Sequence, residues 1–426
     1  MQTINRKASL LWLPHIKSLQ KLFVLFCGIT LLVIYSFYLR NTTITDRRNM
    51  QRMHDQPRKK IFIAFDYWEQ LTMATNSFFD LTALAAYGER QVVVPFVKNS
   101  SFFGSPREEG FETLELYYNV SALNHTLRAH GHGTLISWKD FQDVCQGKLD
   151  VLVHFDYTSL KKTKIYNQGT RAFFSCNNRK KDTYQDFNVA RTICMNVFAV
   201  DSVKKFENEV IERLPCVGLA QWRGIDNKYP FRAQFNLSSV VKDRLHSHNA
   251  TMFFSSKLLY VARDFIAKNL SPLFVSAQIR AEKILKSGKT FRNVGAVEKC
   301  ISRLTRLAQR HKNDSSAPKP VFLATDFEDY GSSSTRIANL SQNQTKSLMN
   351  ILAPLRPVVF RPSAYNLTDR GAVAIVEMNI LVSGERLFVV GGGSFQEWLA
   401  SQFLTQTNQT SSAKCQHELC NSLCAL

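Results

Sequence analysis

The chain has 426 residues, 45% of them hydrophobic, and a formal net charge of +20. That length accommodates two domains with buried cores, and that composition excludes a disordered or collagen-like chain. The surplus of Lys and Arg favours anionic partners: phosphates, nucleotides, acidic glycans or a membrane surface.

The first feature in chain order is residues 22–39, "LFVLFCGITLLVIYSFYL", which carry no charge. That run is within the range for one membrane-spanning helix. Arg6, Lys7, Lys17 and Lys21 precede it, with no acid before Asp46, which favours a cytosolic N-terminus, but Arg47, Arg48, Arg52, Arg58, Lys59 and Lys60 follow it, so the charge rule alone leaves the orientation open. The apolar run is long and no small-x-small cleavage site follows it, so it reads as an uncleaved signal anchor. Residues 1–21 are then a cytosolic tail, and the polar residues 40–59 a short stem.

Asn-x-Ser/Thr sequons place the remainder in the secretory lumen. They fall at Asn41, Asn99, Asn119, Asn124, Asn236, Asn249, Asn313, Asn339, Asn343, Asn366 and Asn408, with a further one at Asn269 discounted because Pro272 follows it. Such a location excludes nucleic acid as the anionic partner. Cysteine usage agrees. Cys27 lies in the anchor, and Cys145, Cys176, Cys194, Cys216, Cys300, Cys415, Cys420 and Cys424 make an even set on the lumenal side, where disulfides persist. Their spacing does not choose a pairing.

Beyond the stem, residues 59–67 read as a buried strand and residues 73–88 as a helix stopped by Gly88. Residues 90–97, 149–157 and 195–200 read as further strands, while 99–147 gives no clear periodicity. The second half alternates more plainly: helix 255–270, strand 272–280, helix 294–312, strand 320–326, helix 371–384 closed by Gly384, strand 386–393 and helix 394–404. Alternation of this kind predicts a parallel sheet covered on both faces. Residues 60–250 form a first domain on this reading, 251–404 a second, and 405–426 a Cys-rich tail.

Ligands of such sheets bind outside the carboxyl ends of the strands. Arg280, Asp326 and the turn from Gly391 to Ser394 all fall at such ends. In "VVGGGSFQEW" the glycines permit a tight turn, Ser394 followed by Glu397 fits a capping box, and the helix start offers free amides to a phosphate. The bland alternatives are a bare turn and a solvated arginine. "TDFED" at 325–329 suits a solvated loop better than a metal site, and "HSH" at 246–248 suits a surface loop. Asp66 and Glu69 are candidate bases after the first strand.

The order of these motifs resembles the GDP-fucose protein O-fucosyltransferase superfamily over residues 60–404. "MATNSFFDLTALAAYGERQVVVP" is similar to the family's opening loop, helix and short strand, with Asn76 at the family's asparagine. "AQIR" matches its His-x-Arg strand at Arg280, with Gln278 in place of the histidine. "FLATD" matches its Ala-Thr-Asp strand end at Asp326, and "EMNILVSGERLFVVGGGSF" resembles its final helix, strand and Ser-Phe turn. The resemblance implies an α/β chain of GT-B type, two Rossmann-like domains facing a cleft behind the membrane anchor. It implies inverting transfer of fucose from GDP-fucose to a hydroxyl of a protein or glycan, with no metal or cofactor.

On that basis Arg280 would stabilise the departing GDP, and Gly392, Gly393, Ser394 and Phe395 would hold its phosphates. Asp326 would position the nucleotide, and Asn76 would stand near the transfer site. The alternatives are an inactive lumenal binding protein on the same fold, or a transferase using another nucleotide sugar. A short anchor with a stem favours the Golgi membrane over the endoplasmic reticulum.

Overall fold

The structure, a computed structural model, describes residues 59–67, 70–106, 110–156, 176, 187–196, 200, 202–223, 253–280, 294–313, 318–326, 342–407, 414–416 and 423–426. The chain divides into two compact units, Met1–Arg58 and Lys59–Leu426. The expected anchor, and the expected stem up to Arg58, belong to the first and lie outside the described residues. Among the described residues no helix is long and apolar enough to cross a membrane.

The second unit carries two open sheets. The first uses β1 (Lys60–Ala64), β2 (Arg90–Val93), β3 (Leu135–Ile136), β4 (Val151–Asp156), β5 (Thr192–Asn196) and β6 (Cys216–Ala220) in the order β5-β4-β6-β1-β2-β3. Every pairing in it is parallel. Its central strands are continuous apolar runs because both faces are covered; Ile61, Phe62 and Ile63 are fully buried. The second sheet uses β7 (Val275–Ile279), β8 (Val321–Thr325) and β9 (Arg386–Val390), with β7 parallel to both neighbours. The tail completes it: β10 (Lys414–Gln416) and β11 (Leu423–Ala425) add as an antiparallel pair beyond β9. The expected Cys-rich tail is therefore part of the second sheet through its backbone.

Eight helices of eight or more residues cover these sheets among the described residues: α1 (Leu71–Tyr87), α2 (Val120–Ala129), α3 (Trp138–Cys145), α4 (Ser256–Asn269), α5 (Val294–Asn313), α6 (Gln342–Leu352), α7 (Arg370–Val382) and α8 (Ser394–Gln406). Two of them, α2 and α3, lie in the stretch where sequence periodicity gave no assignment. They are short, and each starts at a side-chain cap, Asn119 for α2 and a Ser137–Asp140 capping box for α3. The expected strand 90–97 is two elements: Val94 N still donates to the Ile136 carbonyl at 2.9 Å, and the ladder ends at Pro95, which has no N–H, before a hairpin of Phe96–Lys98 and Ser101–Phe103. Its two-residue turn holds Asn99 and Ser100 at φ 49° and 69°, the twist that suits a tight hairpin.

One apolar cluster runs unbroken from Phe62 and Phe78 in the first half through Tyr117 and Phe254 to Met378 and Trp398 in the second. It joins the two sheets into one body. The Cys145–Cys216 disulfide ties the end of α3 to the start of β6, and Cys176–Cys194 ties residue 176 to β5. Cys300, buried in α5, is disulfide-bonded as well. The side chains of Cys415 and Cys424, and all of Cys420, lie outside the described residues. A buried ion pair ties β2 to the helical turn Phe206–Val210. Arg90 Nε donates to Glu207 at 2.8 Å, its Nη1 donates to the Leu214 carbonyl at 2.7 Å, and the guanidinium lies 4.6 Å from the Phe62 ring centroid.

Candidate active site

The parallel register of the second sheet aligns three strand ends. Ile279 of β7 pairs with Thr325 of β8 and with Val390 of β9, so Arg280, Asp326 and Gly391 each follow one of three adjacent strands at the same level. Gly391 has φ 92°, and a Cβ there would stand 2.6 Å from the Arg280 carbonyl oxygen. Glycine is required at this position twice over, for its left-handed backbone and for the close approach of β7.

A cavity of about 360 Å³ opens at this edge. Arg280, Asp326, Ser394 and Phe395, all expected from the sequence, line it. Gly392 and Gly393 are half-buried in the turn but are not among its lining residues, and neither is Asn76, which is half-buried in the second turn of α1. Helix α1 begins at Leu71, before the Met73 start expected from sequence; Asn76 is helical as expected, and the residues lining the cavity are Gln70 to Met73. The candidate base Asp66 is a bridge residue paired with Phe103 and is not in the lining; Glu69 lies outside the described residues.

Two helix starts meet across the cavity. The cap position of α8 is Gly393, with φ 143°, so Ser394 is the first helical residue and no side-chain cap forms. This corrects the expected Ser394–Glu397 capping box: the glycine already satisfies the turn, and Ser394 is released to point elsewhere. Its hydroxyl lies 2.9 Å from the Thr72 hydroxyl at the start of α1. Helix α1 likewise has no side-chain cap, since Gln70 makes none. Both helices thus begin at the cavity wall with uncapped first turns and the positive ends of their dipoles.

Charge in the cavity is arranged unevenly. Arg280 and Arg370 line it, and neither guanidinium has a hydrogen-bond or ion-pair partner among the described residues. Arg370 opens α7 after Asp369 and went unrecognised in the sequence. The two carboxylates, Asp326 and Glu377, each have interactions of their own. Below Arg280 sits an amide pair: Gln396 Nε2 donates to Gln278 Oε1 at 3.2 Å, both side chains being buried. Gln278 and Gln396 are uncharged, so this buried pair adds no charge to the two arginines and two carboxylates of the lining.

The cavity wall is held together by a second contact between the halves. Tyr117 donates to Asp369 Oδ1 at 2.6 Å, Asn99 N donates to Asp369 Oδ2 at 2.5 Å, and Ser100 N donates to the Tyr117 hydroxyl at 3.0 Å. Asp369 also caps α7 by accepting from Ala372 N at 2.9 Å. Burial, and then the Asp369 carboxylate, push the Tyr117 hydroxyl far above its ordinary range, so it remains a donor. One carboxylate therefore fixes both Ser100, which lines the cavity, and the helix that carries Arg370. Sequence periodicity held no sign of this contact, which joins residues 252 positions apart.

No family model matches this chain, and no curated protein matches it. Solved structures similar to it include POFUT1 in complex with GDP, at 13% identity and TM-score 0.49, covering 82% of this chain and 96% of that one. POFUT1 in complex with GDP-fucose is similar at 12% identity and TM-score 0.47, covering 82% and 95%. Fucosyltransferase NodZ from Bradyrhizobium is similar at 10% identity and TM-score 0.36, covering 81% and 92%.

Proposed function

We propose that this chain is a GT-B glycosyltransferase that moves fucose from GDP-fucose to a hydroxyl of a protein or glycan acceptor, with inversion and without a metal. The observation that carries the reading is the meeting of Arg280, Asp326 and the uncapped start of α8 around one cavity at the carboxyl edge of a parallel sheet. Guanidiniums with no partner among the described residues, beside open helix starts, suit a diphosphate. The motif order of the sequence supplies the identity of the donor.

In the reaction an acceptor oxygen bonds to the anomeric carbon as the bond from that carbon to the diphosphate oxygen breaks. The acceptor proton is lost, and GDP leaves with added negative charge. Arg280 stabilises that charge more in the transition state than in the ground state, which is what accelerates the step. Amides at the start of α8 and the Ser394 hydroxyl hold the phosphates. Asp326 positions the nucleotide.

On this reading residues 22–39 anchor the chain as a type II protein of the Golgi membrane and residues 40–426 face the lumen. The support is the uncharged run, the basic residues before it and the density of sequons. A second reading, a lumenal binding protein on the same fold, draws on the Gln278–Gln396 pair, which offers no titratable group where the family has a histidine.

Incubating the purified protein with GDP-fucose and following GDP release separates the two. Turnover that Arg280→Ala abolishes supports the transferase. Nucleotide binding without turnover against any acceptor hydroxyl supports the binding protein, and absence of nucleotide binding removes both.

A further inference from the structure

A second hollow, of about 620 Å³, opens at the carboxyl ends of β2 and β3, where Val94, Pro95 and Ile136 reach its wall. Its chemistry is unlike that of the first. In a chain with 54 Lys and Arg residues, the described lining of this groove holds neither, and Glu115 is its one charged residue. Two aromatic rings, Phe96 and Trp138, stand edge to face in it with centroids 6.0 Å apart. Around them are hydroxyls and amides, among them Asn119, Asn124, Ser137 and Ser255. Rings for apolar C–H faces, dipolar groups for hydroxyls and no cation describe a site for a neutral carbohydrate rather than for a phosphate.

The groove also contains two attachment points for such a carbohydrate. Asn119-Val120-Ser121 and Asn124-His125-Thr126 are sequons, and both asparagines are in the lining. Among the described residues the side chain of each bonds through its amide oxygen alone. Asn119 Oδ1 accepts from Ala122 N at 3.0 Å as the cap of α2, and Asn124 Oδ1 accepts from Leu135 N at 2.9 Å. Neither Nδ2 has a hydrogen-bond partner among the described residues. Asn269, the sequon discounted from sequence, is the contrast: its Nδ2 donates to the Phe265 carbonyl at 2.9 Å. Modifying Nδ2 of Asn119 or Asn124 leaves the oxygen's bond in place; modifying Asn269 alters the donor of an existing one. Of the two groove asparagines, Asn119 is the exposed one.

The geometry points to this groove as the seat of the chain's own N-linked glycan, carried on Asn119 and packed against Phe96 and Trp138. Attachment forms a bond from Nδ2 to the anomeric carbon of a lipid-diphosphate-linked oligosaccharide. The carbon–oxygen bond to the diphosphate breaks, the lipid diphosphate leaves, and one amide proton is lost. Tethering places the first sugars beside the rings at high effective concentration, so weak contacts suffice to hold them. The inference rests on the lumenal part of the proposed function and is independent of the transfer reaction.

The test uses the full chain made in a eukaryotic secretory cell, with glycopeptide mass spectrometry after amidase release in ¹⁸O water. Asn366, exposed at the end of a short helical turn, is the internal reference. The expected result is an occupied Asn119 whose glycan is released from native protein at least about ten-fold more slowly than that of Asn366, since a packed sugar is accessible only when it leaves the groove. Denaturation should abolish the difference, and Trp138→Ala should speed release at Asn119 alone. Because Trp138→Ala also touches α3, Ser121→Ala is the second variant. It should remove one glycan's mass and raise acrylamide quenching of tryptophan fluorescence.

A bare Asn119 beside an occupied Asn366 overturns the inference and leaves the lumenal reading standing. Equal native release rates at the two sites overturn it as well, and so does binding of an added oligosaccharide in a groove that Asn119 leaves empty. A chain bare at every sequon removes both this inference and the lumenal reading.

Discussion

Two hollows in this protein open at the carboxyl edges of parallel sheets, and they differ most in charge. The first, between α1, α7 and α8, is lined by four charged residues, Arg280, Arg370, Asp326 and Glu377, with two helix starts left uncapped. The second, at β2 and β3, has no Lys or Arg in its described lining, and two of the helices at its rim, α2 and α3, are capped by Asn119 and Ser137. The sheet edge supplies the hollow in both cases. Caps alone do not separate the two, since α4, whose cap position Ser255 and first residue Ser256 line the second hollow, also starts without a side-chain cap; the arginines are what suit the first hollow to an anion.

The contrast can be broken most strongly at Arg280. Arg280→Ala should lower fucosyl transfer by roughly 10²–10³-fold. Its melting midpoint should be unchanged, since the guanidinium has no partner among the described residues to lose. Glu115→Gln in the groove should leave turnover as it is. Equal losses from both substitutions would end the division of labour between the hollows.

Next in size is Gly391→Ala. The φ of 92° and the 2.6 Å approach to the Arg280 carbonyl make a side chain there cost about 1–3 kcal/mol in strain. A lowered melting midpoint together with weaker GDP binding is expected. Weaker binding without any loss of stability would mean that Gly391 acts on the ligand directly.

Asp369→Ala comes third. It removes a helix cap, about 1 kcal/mol, and also the acceptor of Tyr117 and Asn99. Transfer should fall because Ser100 and Arg370 lose their common anchor. Tyr117→Phe should reproduce part of this loss, and full activity in both variants would remove the contact from the account. The smallest effect expected is one of salt. Added sodium chloride should weaken nucleotide binding at the half-exposed Arg280 through screening, while the native release rate at Asn119 should not respond.

Much of the second sheet was legible in the sequence. β7, β8 and β9 are short apolar runs between strongly periodic helices, and the shared level of Arg280, Asp326 and Gly391 follows from parallel register alone. The stretch 99–147 was not legible, since its strands are two or three residues long and its helices α2 and α3 are short. A usable signal was nonetheless present in Ser137 and Asp140, the two ends of a capping box. The sequence displays one side of the cavity. Arg280, Asp326, Ser394 and Phe395 belong to local motifs, whereas Thr72, Ser100, Arg370 and Gln396 reach the same cavity through tertiary packing. The sequence places Gly393 in a phosphate turn, but its place as the cap of α8 follows from a backbone angle that the sequence does not display.

The central claim is that the arginine-lined cavity holds the diphosphate of a guanosine nucleotide. Its most direct test is the thermal unfolding midpoint of the purified protein with GDP and with UDP at equal concentration. The account predicts a rise with GDP that Arg280→Ala diminishes, and little change with UDP. A rise with UDP alone, or no rise with either nucleotide, would contradict it.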